Sequence, residues 1–332
     1  MMNEQPQATG DVQEKTVFQV TVSPHLSNAA FTTRRMMADV LIALIPLALV
    51  SIYVFRLYAV KQIAICLISC LAAEAVFTRL RGKPVTLNDG SAAITGLILA
   101  LSLPGTAPWY VGVIGSVIGI GIGKVIFGGL GMNIFNPAMV GRAFVMISFA
   151  GSMAASGYLD PGAAVDAVTK ATPLTAFKQE GIITPLFDLF IGNTNGSLGE
   201  VSALACLIGG LFLCFRRTAS WEIPAGVVAA TIVLGGIADM TGVASDWTVW
   251  HHLFGGALLF GAFYIATDPV TSPLTPKGKF IFGVGVGGLI MLLRLFSGYP
   301  EGVMFAVLFM NALTPLINRW TIPKPFGAIN AK

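Results

Sequence analysis

Thr172 stands in the run Thr169-Lys170-Ala171-Thr172-Pro173-Leu174, inside the longest polar interruption of an otherwise apolar chain, roughly 156–199. A threonine ahead of a proline has two uses. Its oxygen can cap a short helix that starts at Pro173 and continues through Leu174 and Phe177. Its hydroxyl can also carry a covalent group, although it has no lowered pKa of its own and an outside catalyst must activate it. A second set of groups is Asn133 and Asn136 in Asn133-Ile134-Phe135-Asn136-Pro137. Their amides could donate to and accept from one polar ring system. A third set is ionisable. Lys124, Arg142, Glu74, Asp268 and Arg294 lie within or at the edges of apolar segments, where such side chains are costly and usually functional. They are candidates for an ion path. The structural alternatives are a Glu74–Arg79 pair and a surface turn at Asp268-Pro269.

These residues hang on ten apolar segments, at about 37–55, 60–78, 91–103, 109–129, 137–155, 200–215, 222–238, 249–267, 280–297 and 303–318. Most reach the roughly 17 residues that cross a bilayer's hydrocarbon core as a helix. The third is short and ends at Pro104-Gly105, a feature of transporter-like folds with sites at mid-membrane. Gly119, Gly121, Gly123, Gly128, Gly129 and Gly131 surround Lys124. Most of them suit close helix packing. The break from Gly128 to Pro137 is irregular backbone that must be buried or line a cavity.

Composition sets the class. Hydrophobic residues make up 55% of the 332 residues and charged ones 11%, against about 25% charged in a soluble domain. The expected fold is an all-α polytopic membrane protein of about ten transmembrane helices. The net charge of +4 does not point to nucleic acid, because the basic residues sit between apolar spans. Cys66 and Cys70 share a helical face but read as small apolar packing, and no disulfide framework shows. His251-His252 reads as interfacial. The first 30 or so residues are polar and lack the apolar core of a cleavable signal. No Walker A run, H-E-x-x-H or cysteine cluster is present.

Basic residues orient the chain. With a cytoplasmic N-terminus, Arg34-Arg35, Arg79 to Lys83, Lys124, Arg216-Arg217, Lys277, Lys279, Arg319 and Lys324 fall on the inner side. The Thr172 loop then lies outside. Gly112 to Arg142 and Phe282 to Arg319 share a Gly-rich span followed by Asn and Pro and closed by Arg. Five spans per half imply two inverted five-helix repeats. The expected layout is a cytoplasmic tail at 1–33, a first repeat at 34–155, an external loop at 156–199, a second repeat at 200–320 and a cytoplasmic tail at 321–332.

The run around Thr172 resembles the flavin-attachment pattern of the RnfD family, the D-type membrane component of the Rnf ion-translocating electron-transport complex. That family is related to the flavin-bearing B-type component of the sodium-translocating NADH:quinone reductase. The likeness covers nearly the whole chain. It includes Ser23-Pro24-His25, Thr33-Arg34-Arg35-Met36, Asn88-Asp89-Gly90, Asn133 to Ala138, Gly141-Arg142-Ala143-Phe144 and Thr267-Asp268-Pro269-Val270. The family pattern is Ser/Thr-x-Ala-Thr, commonly with Gly at x, where this chain has Lys170. The resemblance implies FMN joined to Thr172 through a phosphoester, made from FAD by a flavin transferase. It further implies riboflavin near Asn133 and Asn136 toward the inner side. The implied partners are a second FMN-bearing subunit, iron–sulfur membrane subunits and membrane lipid. The implied activity is that of a subunit in a bacterial inner-membrane translocase that couples ferredoxin:NAD electron transfer to Na+ or H+ movement. The competing class is a cofactor-free solute or ion channel of urea-channel-like fold, for which a flavin-attachment pattern has no use.

Overall fold

The computed structural model describes residues 32–85, 87–153, 171–242, 247–297 and 301–323. The N-terminal tail through residue 31, Thr169, Lys170 and Lys324 lie outside the described residues, and so do the expectations placed on them. Among the described residues the regular structure is helical: α1 (Thr33–Phe55), α2 (Leu57–Leu80), α3 (Ser91–Ser102), α4 (Trp109–Ile120), α5 (Pro137–Ser148), α6 (Ala150–Met153), α7 (Pro173–Glu180), α8 (Leu186–Ile191), α9 (Ala203–Phe215), α10 (Glu222–Thr241), α11 (Val249–Phe254), α12 (Leu258–Phe260), α13 (Pro276–Phe296) and α14 (Val303–Thr321). Five of them, α1, α2, α10, α13 and α14, are long and apolar enough to cross a membrane. α3, α4, α5 and α9 are shorter apolar helices.

The apolar segments of the sequence are largely helical, and the one expected at 109–129 leaves the helix after Val125. The segment expected at 137–155 stops at Ser148 and restarts at Ala150. The segment expected at 249–267 is broken between α11 and α12 at Gly255-Gly256, with Gly256 at φ 68°. Two π-helical turns follow regular helix, Gly121–Val125 after α4 and Gly261–Ile265 after α12. Each admits one extra residue per turn, a deviation common at functional sites.

Small residues let the backbones approach. A Cβ on Gly141 would collide with the Gly115 carbonyl oxygen, so α5 lies directly on α4. A Cβ on Gly209 would collide with the Ala43 carbonyl oxygen and the Tyr264 hydroxyl. There α1 crosses α9, and Tyr264 Oη donates to the Ala43 carbonyl at 3.0 Å. Large apolar side chains such as Tyr53, Ile147, Phe215 and Phe296 remain exposed. An apolar exterior is what lipid solvates, and in water so much of it would mark an interface.

Two cavities lie at opposite ends of the bundle. Asn136 and Pro137 open α5 beside the first, and Arg142, Met146 and Ile147 of the same helix line the second. α9 spans them too, with Glu200 just before it at the second cavity and Leu213 near its end at the first. The 12 residues of α5 rise about 18 Å. The basic helix ends Arg34-Arg35, Arg79 to Lys83, Arg216-Arg217 and Lys277 flank the end that holds the first cavity.

Candidate functional site

Thr172 is the N-cap of α7. Its Oγ1 accepts from the Thr175 N–H at 3.3 Å, and Pro173 supplies the first helical residue. The capping use read from the sequence is therefore met. The hydroxyl also lies 2.9 Å from Thr175 Oγ1. Thr172 is half-buried and lines the second cavity, of about 490 Å³, with Leu174, Thr175, Gln179, Thr194 and Asn195 on its side. Asn195 Nδ2 holds the neighbouring Ala171 carbonyl at 2.8 Å, which fixes the backbone leading into the cap. A helix N-terminus favours an anionic group through its unpaired N–H groups and dipole. The volume falls in the range of small-molecule sites, about 300–1,000 Å³.

The far wall of this cavity is charged. Arg142 on α5 faces Glu200, with Nη2 3.8 Å from Oε1. Arg294 at the end of α13 faces Glu301, with Nη2 3.5 Å from Oε2. Arg294 also holds the carbonyls of His252 at 2.5 Å and Gly255 at 2.8 Å, which satisfies the break between α11 and α12. Glu301 accepts from the Ala257 N–H at 3.0 Å, just before α12. Burial pushes the Glu200 carboxyl above its usual range, Glu301 acts the same way, and Arg142 opposes them. Burial pulls the Lys178 ammonium below its usual range, helped by Arg294 and opposed by Glu301. Lys178 Nζ donates to the Ser297 carbonyl at 2.9 Å.

The first cavity, of about 90 Å³, is lined by Lys124, Asn133, Asn136, Tyr264, Asp268 and Ser91 among others. Lys124 is 2% exposed. Its Nζ is 2.6 Å from Glu74 Oε1 and 2.5 Å from Ser91 Oγ. Ser91 Oγ donates in turn to Asp89 at 2.7 Å. This corrects the Glu74–Arg79 pairing expected from the sequence: the cation that meets Glu74 is fifty residues away on the π turn after α4. Asn136 caps α5, its Oδ1 accepting from Ala138 at 3.0 Å and Met139 at 3.4 Å. Its Nδ2 donates to the Ile265 carbonyl at 3.2 Å. Asn133 Nδ2 donates to the Phe135 carbonyl at 3.2 Å. Asp268 accepts from the Val270 N–H at 3.0 Å, which makes the expected turn, at the cavity wall.

The structure thus divides the sequence candidates between two sites. Thr172, Arg142 and Arg294 gather around the second cavity; Lys124, Glu74, Asn133, Asn136 and Asp268 gather around the first. His251 and His252 are buried rather than interfacial, because α11 tucks under Trp247. His251 Nδ1 meets Thr248 Oγ1 at 2.8 Å in a capping box. Sequence reasoning missed Glu200, Glu301, Ser91 and Thr175. The two glutamates sit in connections ahead of apolar helices, where acidic residues are ordinary. Ser91 follows Asp89-Gly90, a helix-start signal that says nothing of a lysine. Asp39 gave no signal either: it pairs α1 with Arg216 at 3.1 Å and accepts from Thr218 at 2.9 Å.

A family model described as the NQR2, RnfD, RnfE family matches residues 19–327. The chain is 44% identical over 317 residues to the D-type component of the Na+-translocating ferredoxin:NAD+ oxidoreductase complex of Acetobacterium woodii, covering 94% of this chain and 96% of that one. It is 40% identical to the corresponding component of the proton-translocating ferredoxin:NAD+ oxidoreductase complex of Clostridium ljungdahlii, covering 95% and 97%. It is 37% identical to that of the ion-translocating oxidoreductase complex of Halorhodospira halophila, covering 93% and 95%.

Proposed function

The chain belongs to the NQR2, RnfD, RnfE family, and on that premise we propose that it is a membrane subunit of an ion-translocating ferredoxin:NAD oxidoreductase that carries FMN covalently on Thr172. The observation that carries this reading is the placement of the Thr172 hydroxyl. It is half-buried, at a helix N-terminus, and opens into a cavity of about 490 Å³ lined by both charged and apolar side chains. The residues present fit the group. The start of α7 suits its phosphate, and Met146, Met153, Met304 and Phe305 suit a flat apolar ring face. Loading exchanges the phosphoanhydride of FAD for a phosphoester. The Thr172 oxygen bonds to the FMN phosphorus of FAD, the bond to AMP breaks, and AMP leaves with the electron pair as the hydroxyl proton is released. A flavin transferase supplies the activation that the hydroxyl lacks. Bound flavin supplies electron transfer; this chain's residues hold it away from solvent and set the charge around it.

The transported species is a monovalent cation, Na+ or H+, by the activities after which relatives at 44% and 40% identity are named. Lys124, Glu74, Arg142 and Asp268 are the ion-path candidates. The basic end that holds the first cavity is read as cytoplasmic and the Thr172 end as external, in a bacterial inner membrane. The helices are read as two inverted repeats. α1 packs on α9, and α4 on α5 as α13 on α14. In this register Lys124-Val-Ile-Phe-Gly128 answers Arg294-Leu-Phe-Ser-Gly298, which places a buried cation late in the corresponding helix of each half. The non-covalent riboflavin implied by the resemblance is carried no further: the first cavity, at about 90 Å³, is smaller than the roughly 300–1,000 Å³ of small-molecule sites, and the Asn136 amide is committed to capping. No step is routed through it.

The test is Thr172→Ala in the complex made alongside its transferase. In-gel fluorescence of the denatured chain should vanish while assembly persists, because the lost cap costs only about 1 kcal/mol. Thr175→Val should still load, more slowly, since it removes the hydroxyl that meets Thr172 Oγ1. Fluorescence that survives Thr172→Ala puts the attachment elsewhere. A wild-type chain that never fluoresces returns the reading to a cofactor-free channel.

A further inference from the structure

The charged wall of the second cavity is only half used by the protein. Arg142 is 5% exposed, yet its Nε and Nη1 have no hydrogen-bond partner among the described residues, and its Nη2 stands 3.8 Å from Glu200 without a hydrogen bond. Oε1 of Glu200 and Oε1 of Glu301 are likewise buried without partners among those residues. All three side chains line the cavity that Thr172 opens into. A purely structural ion pair closes its hydrogen bonds, because each buried unmet donor or acceptor costs about 1–3 kcal/mol. This pair leaves donors and acceptors side by side in the wall of the cavity that these residues line.

Resting on the Thr172 reading, we propose that Arg142 binds the pyrimidine edge of the flavin ring, with Glu200 and Glu301 beside it, so that the ring enters the cavity polar edge first. The complementarity is chemical. That edge presents acceptors, a ring nitrogen and a carbonyl, next to an N–H donor. Arginine supplies only donors and a carboxylate only acceptors, so the edge and the wall match in alternation. The rest of the ring, with its methylated edge, then lies among Met146, Met153, Met304 and Phe305, which line the same cavity. Arg142 acts on the ring directly. Arg294 acts through Glu301, which it holds at 3.5 Å, and is a positioning residue.

The ring gains negative charge on reduction, so a cation at its polar edge eases reduction and a carboxylate there opposes it. The experiment uses the whole purified complex made alongside its transferase, with wild type, Arg142→Gln, Arg142→Lys and Glu301→Gln. Two quantities are read: covalent flavin per chain by fluorescence after denaturation, and the flavin midpoint potential by spectroscopic redox titration. Loading should match wild type in all variants, since Thr172 is untouched. Arg142→Gln should lower the midpoint by at least a tenfold change in the one-electron equilibrium, about 59 mV. Arg142→Lys should restore most of that shift. Glu301→Gln keeps an acceptor for the Ala257 N–H and should raise the midpoint. Opposite signs are a result that mere loosening of the fold cannot produce. Normal loading with unchanged midpoints overturns the Arg142 assignment and leaves Thr172 standing. Absence of covalent flavin from wild type overturns both. If Arg142→Gln fails to assemble, Glu301→Gln decides, and a midpoint that does not rise overturns the assignment.

Discussion

Lys124 and Glu74 give the sharpest test of how the first cavity is built. Their side chains are 2% and 5% exposed, and their charged atoms are 2.6 Å apart. Removing one member of a buried pair strands the other charge and costs about 3–5 kcal/mol, whereas replacing both with apolar residues of similar volume is often near neutral. The two single changes are not equivalent here. Lys124→Met leaves Glu74, whose Oε2 already lacks a partner among the described residues, with no cation. Glu74→Leu leaves Lys124 its bond to Ser91 Oγ, and a hydrogen bond to a charged group retains about 1.5–3 kcal/mol. Lys124→Met should therefore be the more damaging, at about 3–5 kcal/mol, and Glu74→Leu milder by about 1.5–3 kcal/mol. The double variant should lie within about 1 kcal/mol of wild type, so the interaction energy is several kcal/mol. The assay is the half-life of the detergent-purified complex at a fixed elevated temperature, because unfolding of such assemblies is irreversible and a rate is the proper measure. A double variant shorter-lived than both singles would refute the reasoning. The same double variant separates structure from transport. If the pair belongs to the ion path, the stable double variant stops cation uptake into inverted membrane vesicles. If the pair only holds the π turn, uptake continues.

Two further outcomes follow from the same structure. A reporter fused near Leu198, in the connection at the second-cavity end, should behave as external and one after Arg217 as cytoplasmic; accessibility of the Leu198 fusion to a cytoplasmic probe reverses the assignment of sides. Asn136→Leu should remove the α5 cap and the bond to Ile265, costing about 2 kcal/mol, roughly half from the cap and half from the bond. A complex as heat-resistant as wild type shows that α5 is fixed by its packing on α4 alone.

The helices are legible in the sequence because their information is local. Long apolar runs, Thr-Pro at residues 172–173, Asn-Pro at residues 136–137 and the run of glycines around Lys124 each state a conformation within a few residues. The breaks are less legible. Gly255-Gly256 lies in an apolar run that reads as continuous, and only the positive φ of Gly256 and the carbonyls taken by Arg294 reveal it. Partners are the least legible of all. Proximity along the chain pairs Glu74 with Arg79, five residues further on the same helix, because it is the only metric a sequence offers. The real partner arrives on the π turn after α4, which the sequence marks only as more glycine and isoleucine. Likewise Arg142 and Arg294 announce themselves as buried cations, whereas Glu200 and Glu301 read as ordinary residues of helix connections until the fold brings them to the same wall.

The two cavities share walls, and this bears on how electron transfer and ion movement can be linked. Coupling between separated sites needs a physical element with two arrangements whose balance both sites bias. α5 meets that requirement in place, though not by itself in kind. Its first turn is held by Asn136 to the π turn that ends at Ile265, and its middle presents Arg142 to the second cavity. A shift of α5 along its axis would therefore change both sites together. It cannot shift freely, because Gly141 seats its backbone against Gly115 with no room for a side chain. The pliable pieces are instead at its foot, where two π turns carry Lys124 and Tyr264 into the wall of the first cavity. A π turn holds one residue more than the α-helix needs and can return it. On the reading proposed above, with flavin on Thr172 and its ring at Arg142, charge on that ring would reach the first cavity through Arg142 and α5, and would be felt there as a change in the π turns that hold Lys124 against Glu74.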